Sequence, residues 1–307
     1  MKIPFFLTVD TEGDNIWDRP EIIRSGNVEN LYRFQELCNQ YNIKPIYLTN
    51  YEAAINKKFQ QFTQEYLNKL EIGMHLHAWN SPPIKPLTEN DLYYQPYLHE
   101  YPKDVIFEKI DYMVKLLQDT FQTDILSHRG GRYSNNETIF ESLVNNGIRI
   151  DCSIVPGFNY KPALGSPHGM GGPDFRHYPL NKYEIYPGLE EFPVSVFRVH
   201  ALLNGLEDKN LLKRVIGKLL DHKTLVLRSK LDNFEEMKKV IDWNLKLGTT
   251  HLEYIIHSSE LVTNKSHLIK NKEEENSFYN TLEKLFKYLS TLDEVEPMTF
   301  KEYLQKN

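Results

Sequence analysis

The segment IPFFLTVDTEGD, residues 3–14, decides the fold class of this chain. Its apolar part, Ile3–Val9, predicts a buried strand. Three carboxylates follow at the end of that strand: Asp10, Glu12 and Asp14. In parallel α/β barrels the catalytic residues project from the carboxyl ends of the strands. The segment therefore predicts a buried strand with a polar site at its carboxyl end, as the strands of a parallel α/β barrel have.

The rest of the chain alternates short apolar runs with segments of helical periodicity. Further strands are predicted at 43–48, 71–74, 125–127, 148–153, 192–199, 224–227 and 252–256. Helices are predicted at 28–41, 59–70, 105–121, 135–145, 209–220, 234–247 and 278–292, with a last segment at 298–304. Repeated strand–helix units of this size predict one α/β barrel domain over residues 1–307, closed or nearly closed. Long rim loops are expected at about 79–103 and 155–190, and the charge run 270–275 is expected to be solvated surface.

The composition is that of an ordinary globular protein. The 307 residues are 40% hydrophobic and 25% charged, which excludes a wholly disordered chain, collagen and a coiled coil. The formal net charge of −6 argues against nucleic acid as the main partner. The two cysteines, Cys38 and Cys152, are too few for a cysteine zinc cage, whereas 11 histidines are present.

Polar side chains follow several of the predicted strands. His75 and His77 follow the strand at 71–74, Arg129 follows the strand at 125–127, and His257 follows the strand at 252–256. Because the carboxyl ends of parallel strands meet at one rim of a barrel, we expect these side chains to converge with the acidic cluster of the first strand.

The pair His75 and His77 has the spacing of a metal site. Residues two apart on an extended strand project from the same face, so that both imidazoles can reach one ion. A carboxylate from the first strand would complete a site of two histidines and one carboxylate, which suits zinc, iron, cobalt or manganese. The alternative is one packed and one exposed histidine that bind no metal.

The carboxylates at 10, 12 and 14 allow a division of roles. One can ligate an ion while another accepts a proton from water that the ion acidifies, and the sequence leaves open which does which. A turn at 13–15 is the structural alternative. His257 could donate a proton to a leaving amine, and Arg129 could pair with a catalytic carboxylate or form a surface salt bridge. Trp79 could stack on a sugar ring or pack under its loop.

Five short motifs together resemble those of the polysaccharide deacetylase family, also called NodB-homology or carbohydrate esterase family 4. They are TVDTEGD at 8–14, IGMHLH at 72–77, RGGRY at 129–133, GIRIDCS at 147–153 and IHSSEL at 256–261. The resemblance spans residues 3 to about 304, and is closest to a subgroup associated with lipopolysaccharide O-antigen and capsule loci. Thr11 stands where the family has a second aspartate, so Glu12 or Asp14 would supply that carboxylate. Trp79 stands where it has a second histidine, for which His77 is the substitute.

The resemblance implies a distorted (β/α)7-type barrel and metal-dependent removal of an acetyl or formyl group from an amino sugar. The implied ion is zinc, with cobalt, nickel, iron or manganese as alternatives. The implied site residues are catalytic Asp10, Arg129 and His257, metal-ligating Glu12, His75 and His77, and substrate-binding Trp79, Tyr133 and Glu260. Asp10 would be the base, Arg129 would orient it, and His257 would protonate the leaving amine.

The expected partner is an amino-sugar substrate that is nucleotide-linked, lipid-linked or part of an oligosaccharide. No signal segment and no run of about 20 apolar residues is evident, so a cytoplasmic location without a membrane span is predicted. Two alternatives remain at this point. One is a catalytically altered sugar-binding protein on the same fold, and the other is a metal-dependent hydrolase of another amide or ester.

Overall fold

The structure is a computed structural model that describes residues 2–16, 22–163, 169–198 and 224–306. The helix predicted at 209–220 lies outside the described residues, as does the last residue of the strand predicted at 192–199. Within the described part of the chain, no helix is both long enough and apolar enough to cross a membrane. The cytoplasmic location stays a prediction.

A curled sheet of mostly parallel strands forms the centre of the fold. The described strands are β1 (Ile3–Thr11), β2 (Ile46–Thr49), β3 (Glu71–Leu76), β4 (Ser127–Gly130), β5 (Ile150–Asp151), β6 (Tyr183–Tyr186), β7 (Leu189–Glu191), β8 (Val196–Phe197), β9 (Leu225–Val226), β10 (Leu252–His257) and β11 (Val295–Pro297). Nine of them form one sheet in the order β10-β1-β2-β3-β4-β5-β7-β6, with β11 beside β1. Its pairs are parallel except for the β6–β7 hairpin, and β8 and β9 form a separate antiparallel pair. This architecture confirms the predicted α/β barrel-like class.

The barrel closes irregularly between β7 and β10. The sequence predicts a strand over 192–199, but only Val196–Phe197 is a strand in the described residues. Pro193 has no N–H to donate to a ladder, and single backbone hydrogen bonds take the ladder's place. Val194 N–H donates to the Ile154 carbonyl at 2.9 Å, and Ser195 N–H donates to the Glu253 carbonyl at 3.1 Å. The barrel is therefore distorted at this point, because isolated hydrogen bonds stand where a regular barrel would have a ladder.

Helices surround the sheet and bury their apolar faces against it. They are α1 (Tyr32–Gln40), α2 (Tyr51–Ala54), α3 (Lys57–Glu65), α4 (Asp91–Tyr94), α5 (Lys103–Phe121), α6 (Glu137–Asn145), α7 (Phe234–Lys246), α8 (Lys272–Leu289) and α9 (Phe300–Lys306). Single 3-10 turns lie at Val28–Asn30, Leu98–Glu100, Gly131–Tyr133 and Ser258–Leu261. The stripe predicted on the helix at 105–121 is confirmed, because Ile110, Met113 and Leu117 are buried on α5.

The charge run 270–275 is exposed over 270–273, as predicted, but it also contains the start of a helix and its last residue, Glu275, is buried. The last long helix begins at Lys272, not at 278, and Asn271 caps it by accepting a hydrogen bond from Glu274 N–H at 2.8 Å. An asparagine N-cap followed by glutamates in the first turn favours helix initiation, because both satisfy the positive helix end. Glu275 is buried and its Oε1 lies 2.7 Å from Arg33 Nη1.

The alternation of β1 directs the site residues into the barrel. Phe5, Leu7 and Val9 pack in the outer apolar cluster between sheet and helices, whereas Phe6 packs in the inner one. Successive strand residues face opposite sides, so Thr8 and Asp10 share the inward face of Phe6. Helix α9 packs beneath them, with the Phe300 ring 4.3 Å from that of Phe6 between centroids.

Candidate active site

A small cavity opens at the carboxyl ends of the barrel strands. Its volume is about 180 Å³. It is lined by Asp10, Glu12, Ile16, His75, His77, Trp79, Tyr97, Gly130, Arg132, Tyr133, Tyr160, Ala163 and His257. The strand register explains the gathering, because Asp10 lies opposite His257 and His75 lies opposite Arg129. The predicted convergence of these four residues is therefore present.

Glu12, His75 and His77 form a compact cluster of three metal-ligand types. Nε2 of His77 lies 2.7 Å from Glu12 Oε2, and Nε2 of His75 lies 3.2 Å from the same oxygen. The two Nε2 atoms are 3.1 Å apart. Such close approach of two imidazole nitrogens and a carboxylate oxygen is favourable only around a proton or a cation. Glu12 Oε1 is buried and accepts no hydrogen bond from any described residue. The residues present therefore fit a divalent metal ion.

Burial and mutual contacts set the ionisation of this cluster. Burial raises the pKa of Glu12, but the hydrogen bonds from His75 and His77 outweigh it and bring the pKa well below its usual value. Burial lowers the pKa of His77 to about 4, against the opposing effect of Glu12. The pKa of His75 is raised, because Asp10 and Glu12 outweigh burial. Glu12 and His77 thus have the ligating forms at neutral pH, whereas a proton on His75 competes with a metal and weakens its binding as pH falls.

Asp10 is held by a buried guanidinium. Arg129 Nη1 donates to Asp10 Oδ1 at 2.6 Å, and the arginine side chain is fully buried. Burial raises the pKa of Asp10, but the Arg129 charge outweighs it and the pKa lies below the usual value. On its other side Arg129 contacts Glu253, whose Oε1 accepts from Thr8 Oγ1 at 2.6 Å. One cation between two carboxyls cannot balance both, and burial raises the pKa of Glu253 to about 7.

His257 presents one ring nitrogen to the cavity. Its Nε2 lies 3.7 Å from Asp10 Oδ2 and 3.8 Å from Glu12 Oε1. Its Nδ1 faces away from the cavity, toward Arg228 Nη2 at 2.9 Å and Glu260 Oε2 at 3.4 Å. Burial raises the pKa of Glu260, but Arg228 outweighs it and the pKa falls to about 2. Glu260 is therefore a carboxylate at neutral pH.

Aromatic rings and one arginine form the cavity walls. The Trp79 ring packs on His77 with 4.5 Å between centroids, and Arg132 Cζ lies 5.2 Å from the Trp79 ring centroid. Tyr133 stacks on Tyr160 with 5.1 Å between centroids. A small aromatic-walled cavity is suited to the apolar face of one sugar ring.

The structure separates the three acidic residues of the first motif. Glu12 joins His75 and His77, whereas Asp10 joins Arg129. Asp14 is directed elsewhere, with its Oδ2 2.8 Å from Lys265 Nζ. Asp10 and Glu12, whose roles the sequence left open, thus have different partners in the cavity. Asp14 does not belong to the cavity lining in the described residues.

Of the predicted substrate-binding residues, Trp79 and Tyr133 line the cavity. Glu260 does not belong to that lining among the described residues, but lies behind His257 and accepts a hydrogen bond from its backbone N–H at 3.0 Å. Sequence reasoning missed Glu253 and Arg228. A charge inside the apolar run 252–256 pointed to Glu253, and Arg228 directly follows the strand predicted at 224–227.

Gly131 leaves the room that His77 occupies. A Cβ at this position would lie 2.5 Å from His77 Nδ1 and 2.6 Å from the Leu76 carbonyl oxygen. We expect Gly131→Ala to displace His77 and to weaken zinc binding about 10- to 100-fold, the range for residues that orient metal ligands. Competition titration with a chromophoric chelator measures this. Gly26→Ala, whose Cβ would approach the flexible Lys265 Nζ at 2.9 Å, is the control and should bind zinc normally. Unchanged zinc affinity in Gly131→Ala would contradict the predicted role of His77 as a metal ligand.

Comparison with known proteins gives no match to a family model and none to a curated protein. Solved structures do match. A Mycobacterium smegmatis protein assigned as a polysaccharide deacetylase aligns with a TM-score of 0.61 at 11% identity, over 99% of this chain and 90% of that one. A Pseudomonas aeruginosa PAO1 protein with the same assignment aligns with a TM-score of 0.55 at 10% identity, over 99% and 90%. The Puue allantoinase aligns with a TM-score of 0.55 at 12% identity, over 99% and 89%.

At these identities the likeness establishes the fold alone. The chain has the NodB-like fold that polysaccharide deacetylases have, so the predicted fold class is confirmed. An allantoinase shares it too, and the chemistry of this chain must therefore be argued from its own residues.

Proposed function

We propose that the protein is a metal-dependent hydrolase that removes an N-acyl group, acetyl or formyl, from an amino sugar. The observation that carries the proposal is the cluster of Glu12, His75 and His77 in one cavity with Asp10 and His257. Metal ligands, a carboxylate base and an imidazole around one small space are the groups that amide hydrolysis needs.

Glu12, His75 and His77 would hold the ion, zinc foremost and cobalt, nickel, iron or manganese as alternatives. When bound there, a divalent ion supplies Lewis-acid chemistry, polarising an acyl oxygen and acidifying water. Three protein ligands leave coordination positions open, as catalytic zinc sites require.

Asp10 would accept the proton of the attacking water. Arg129 occupies Asp10 Oδ1 and keeps the carboxyl ionised, so that Oδ2 is the oxygen left to act as base. His257 Nε2, 3.7 Å from Asp10 Oδ2, would give a proton to the leaving nitrogen. The base and the acid thus lie side by side in the cavity, and the scissile C–N bond would lie against both.

The cavity walls favour a single sugar ring as the group bound beside the ion. Trp79 and Tyr133 supply flat apolar faces, and the volume of about 180 Å³ limits the pocket to one ring or its acyl end. We propose a precursor of surface polysaccharide or lipopolysaccharide as substrate, nucleotide-linked, lipid-linked or an oligosaccharide. This assignment rests on the resemblance of the motifs.

The test is a substrate panel on protein stripped with a chelator and reloaded with zinc, cobalt or nickel. We expect amine release from N-acetyl or N-formyl amino sugars, measured with an amine-reactive fluorophore. No amine release with any of the metals would overturn the proposal and favour a sugar-binding protein. Hydrolysis confined to O-acetyl esters or cyclic amides would overturn it in favour of another hydrolase.

Replacing Asp10 with asparagine removes the base but keeps the side chain's shape. We expect kcat for amine release to fall about 10²- to 10⁴-fold, the usual contribution of a general base. Metal content, measured by plasma mass spectrometry, should stay at the wild-type level because Asp10 is outside the ligand cluster. Loss of metal together with activity would instead make Asp10 a ligand.

A further inference from the structure

The side of His257 that faces away from the cavity is braced by an ion pair. Arg228 Nη2 lies 2.5 Å from Glu260 Oε1 and 2.9 Å from His257 Nδ1. Glu260 Oε2 in turn accepts the His257 backbone N–H at 3.0 Å and lies 3.4 Å from Nδ1. The guanidinium thus contacts the ring of His257, and the carboxylate binds the backbone N–H of the same residue and lies close to its ring.

The brace is itself fixed to the fold. Glu260 belongs to the 3-10 turn Ser258–Leu261, which follows β10 directly. Both backbone polar groups of Arg228 are hydrogen-bonded. Its N–H donates to the Val226 carbonyl at 2.8 Å, and its carbonyl accepts from Asn233 Nδ2 at 2.9 Å. The Arg228 backbone is therefore held through Val226 of β9 and Asn233 before α7, and its neighbour Leu227 also accepts a hydrogen bond from Ile255 N–H of β10 at 3.2 Å.

We propose that Arg228 is a positioning residue, which together with Glu260 fixes the imidazole of His257 so that Nε2 is the nitrogen presented to the substrate. This inference rests on the proposed function for its catalytic consequence. The sequence motifs do not include Arg228, and its contacts with His257 and Glu260 arise only in the folded barrel.

The chemistry of the three groups explains why the ring cannot turn freely. A guanidinium only donates hydrogen bonds and a carboxylate only accepts them. Nδ1 therefore has a donor, Arg228, and an acceptor, Glu260, beside it. A flip of the ring would place a carbon atom at this position, and both charged groups would lose their contact with a ring nitrogen. Such buried charge-assisted contacts are stronger than neutral ones, so the orientation with Nε2 in the cavity is favoured.

The experiment compares two leaving groups. Amide hydrolysis needs a proton on the departing amine, whereas 4-nitrophenyl acetate releases a phenolate that needs none. In zinc-loaded Arg228→Met, we expect kcat for the N-acyl amino sugar to fall at least about 10²-fold, the contribution of a positioned acid, and kcat for the aryl ester to change less than about threefold. Arg228→Lys keeps the charge but cannot span both partners, and should show an intermediate loss.

Zinc content and a wild-type circular dichroism spectrum show that each variant is folded and loaded. Lys230→Met is the matched control, because Lys230 lies two residues further in the same loop with its side chain 58% exposed, and it should retain both activities. Equal losses on amide and ester in both Arg228 variants, or no loss on either substrate, would overturn the positioning role.

A second readout does not depend on the proposed function. Long-range ¹H–¹⁵N spectra of the zinc-loaded protein report the two ring nitrogens of His257. We expect the Nδ1 resonance to shift in Arg228→Met and Arg228→Lys, with no shift in Lys230→Met. Absent amide hydrolysis in wild type with this shift present would overturn the function and keep the brace, whereas unchanged His257 nitrogens in both variants would overturn the brace.

Discussion

Replacing His75 with alanine should abolish stoichiometric zinc binding and lower kcat/KM for amine release at least about a thousandfold. The loss follows from removing one of three ligands around an ion whose Lewis-acid chemistry contributes several kcal/mol, since about 4 kcal/mol corresponds to about a thousandfold in rate. His75 Nε2 lies 3.2 Å from Glu12 Oε2 and 3.1 Å from His77 Nε2, and these three residues form the ligand cluster found among the described residues. Steady-state kinetics with metal analysis measures both effects.

The thermal midpoint provides a readout without activity. A ligand that binds only the folded state raises the midpoint, so zinc should stabilise wild type and not His75→Ala. His177→Ala removes an exposed histidine outside the cavity and should behave as wild type in all three measurements. Full activity in His75→Ala, or the same zinc-induced shift as in wild type, would contradict the assignment of the metal centre.

Replacing Arg129 with methionine should lower the free energy of unfolding by about 3–5 kcal/mol, the loss typical when one partner of a buried charge network is removed. Arg129 is fully buried and contacts Asp10 and Glu253, which stay buried after the substitution. Each carboxyl then has to remain charged without a cation or take up a proton. Urea denaturation of the metal-free protein measures the change without a contribution from lost metal.

The double variant Arg129→Met with Glu253→Gln is the matched control. It replaces Glu253, one of the two buried carboxyls that Arg129→Met leaves without a cation, so it should be more stable than Arg129→Met alone. Glu253→Gln alone should remove a pH dependence of the free energy of unfolding. The pKa of Glu253 is raised from 4.5 to about 7, so in wild type the unfolded chain binds fewer protons and stability falls as pH rises through this range. Wild-type stability in Arg129→Met would show that the network does not hold the barrel.

Much of the site could be predicted because strand ends bear its residues. Asp10, His75, Arg129 and His257 each lie at the end of an apolar run, and parallel strands bring such ends to one level. The structure placed these four together as expected. The ends of helices and strands moved by a few residues, as at Lys272, where a cap and first-turn charges extend the helix beyond its apolar stripe.

Other contacts between distant segments could not be predicted. Glu253 follows Thr8 by 245 residues and meets Arg129 across the barrel, and neither strand alone shows that partner. The same holds for Arg228, which lies in the loop after β9, and His257, which ends β10. Their contact forms beside the hydrogen bond that joins the Arg228 loop to β10, in which Ile255 N–H donates to the Leu227 carbonyl at 3.2 Å.

The sequence by itself determined the fold class, because alternating apolar runs and helical stripes specify which faces must be buried, and burial of those faces leaves a parallel barrel as the solution. It also determined which chemical groups reach the rim. Only the tertiary structure decided how the carboxylates divide, with Glu12 at the histidines, Asp10 at Arg129 and Asp14 at Lys265. The reason is physical, since a charge buried in a low-dielectric interior is stable only beside its partner, and which partner lies within reach is fixed by the packing of the whole barrel.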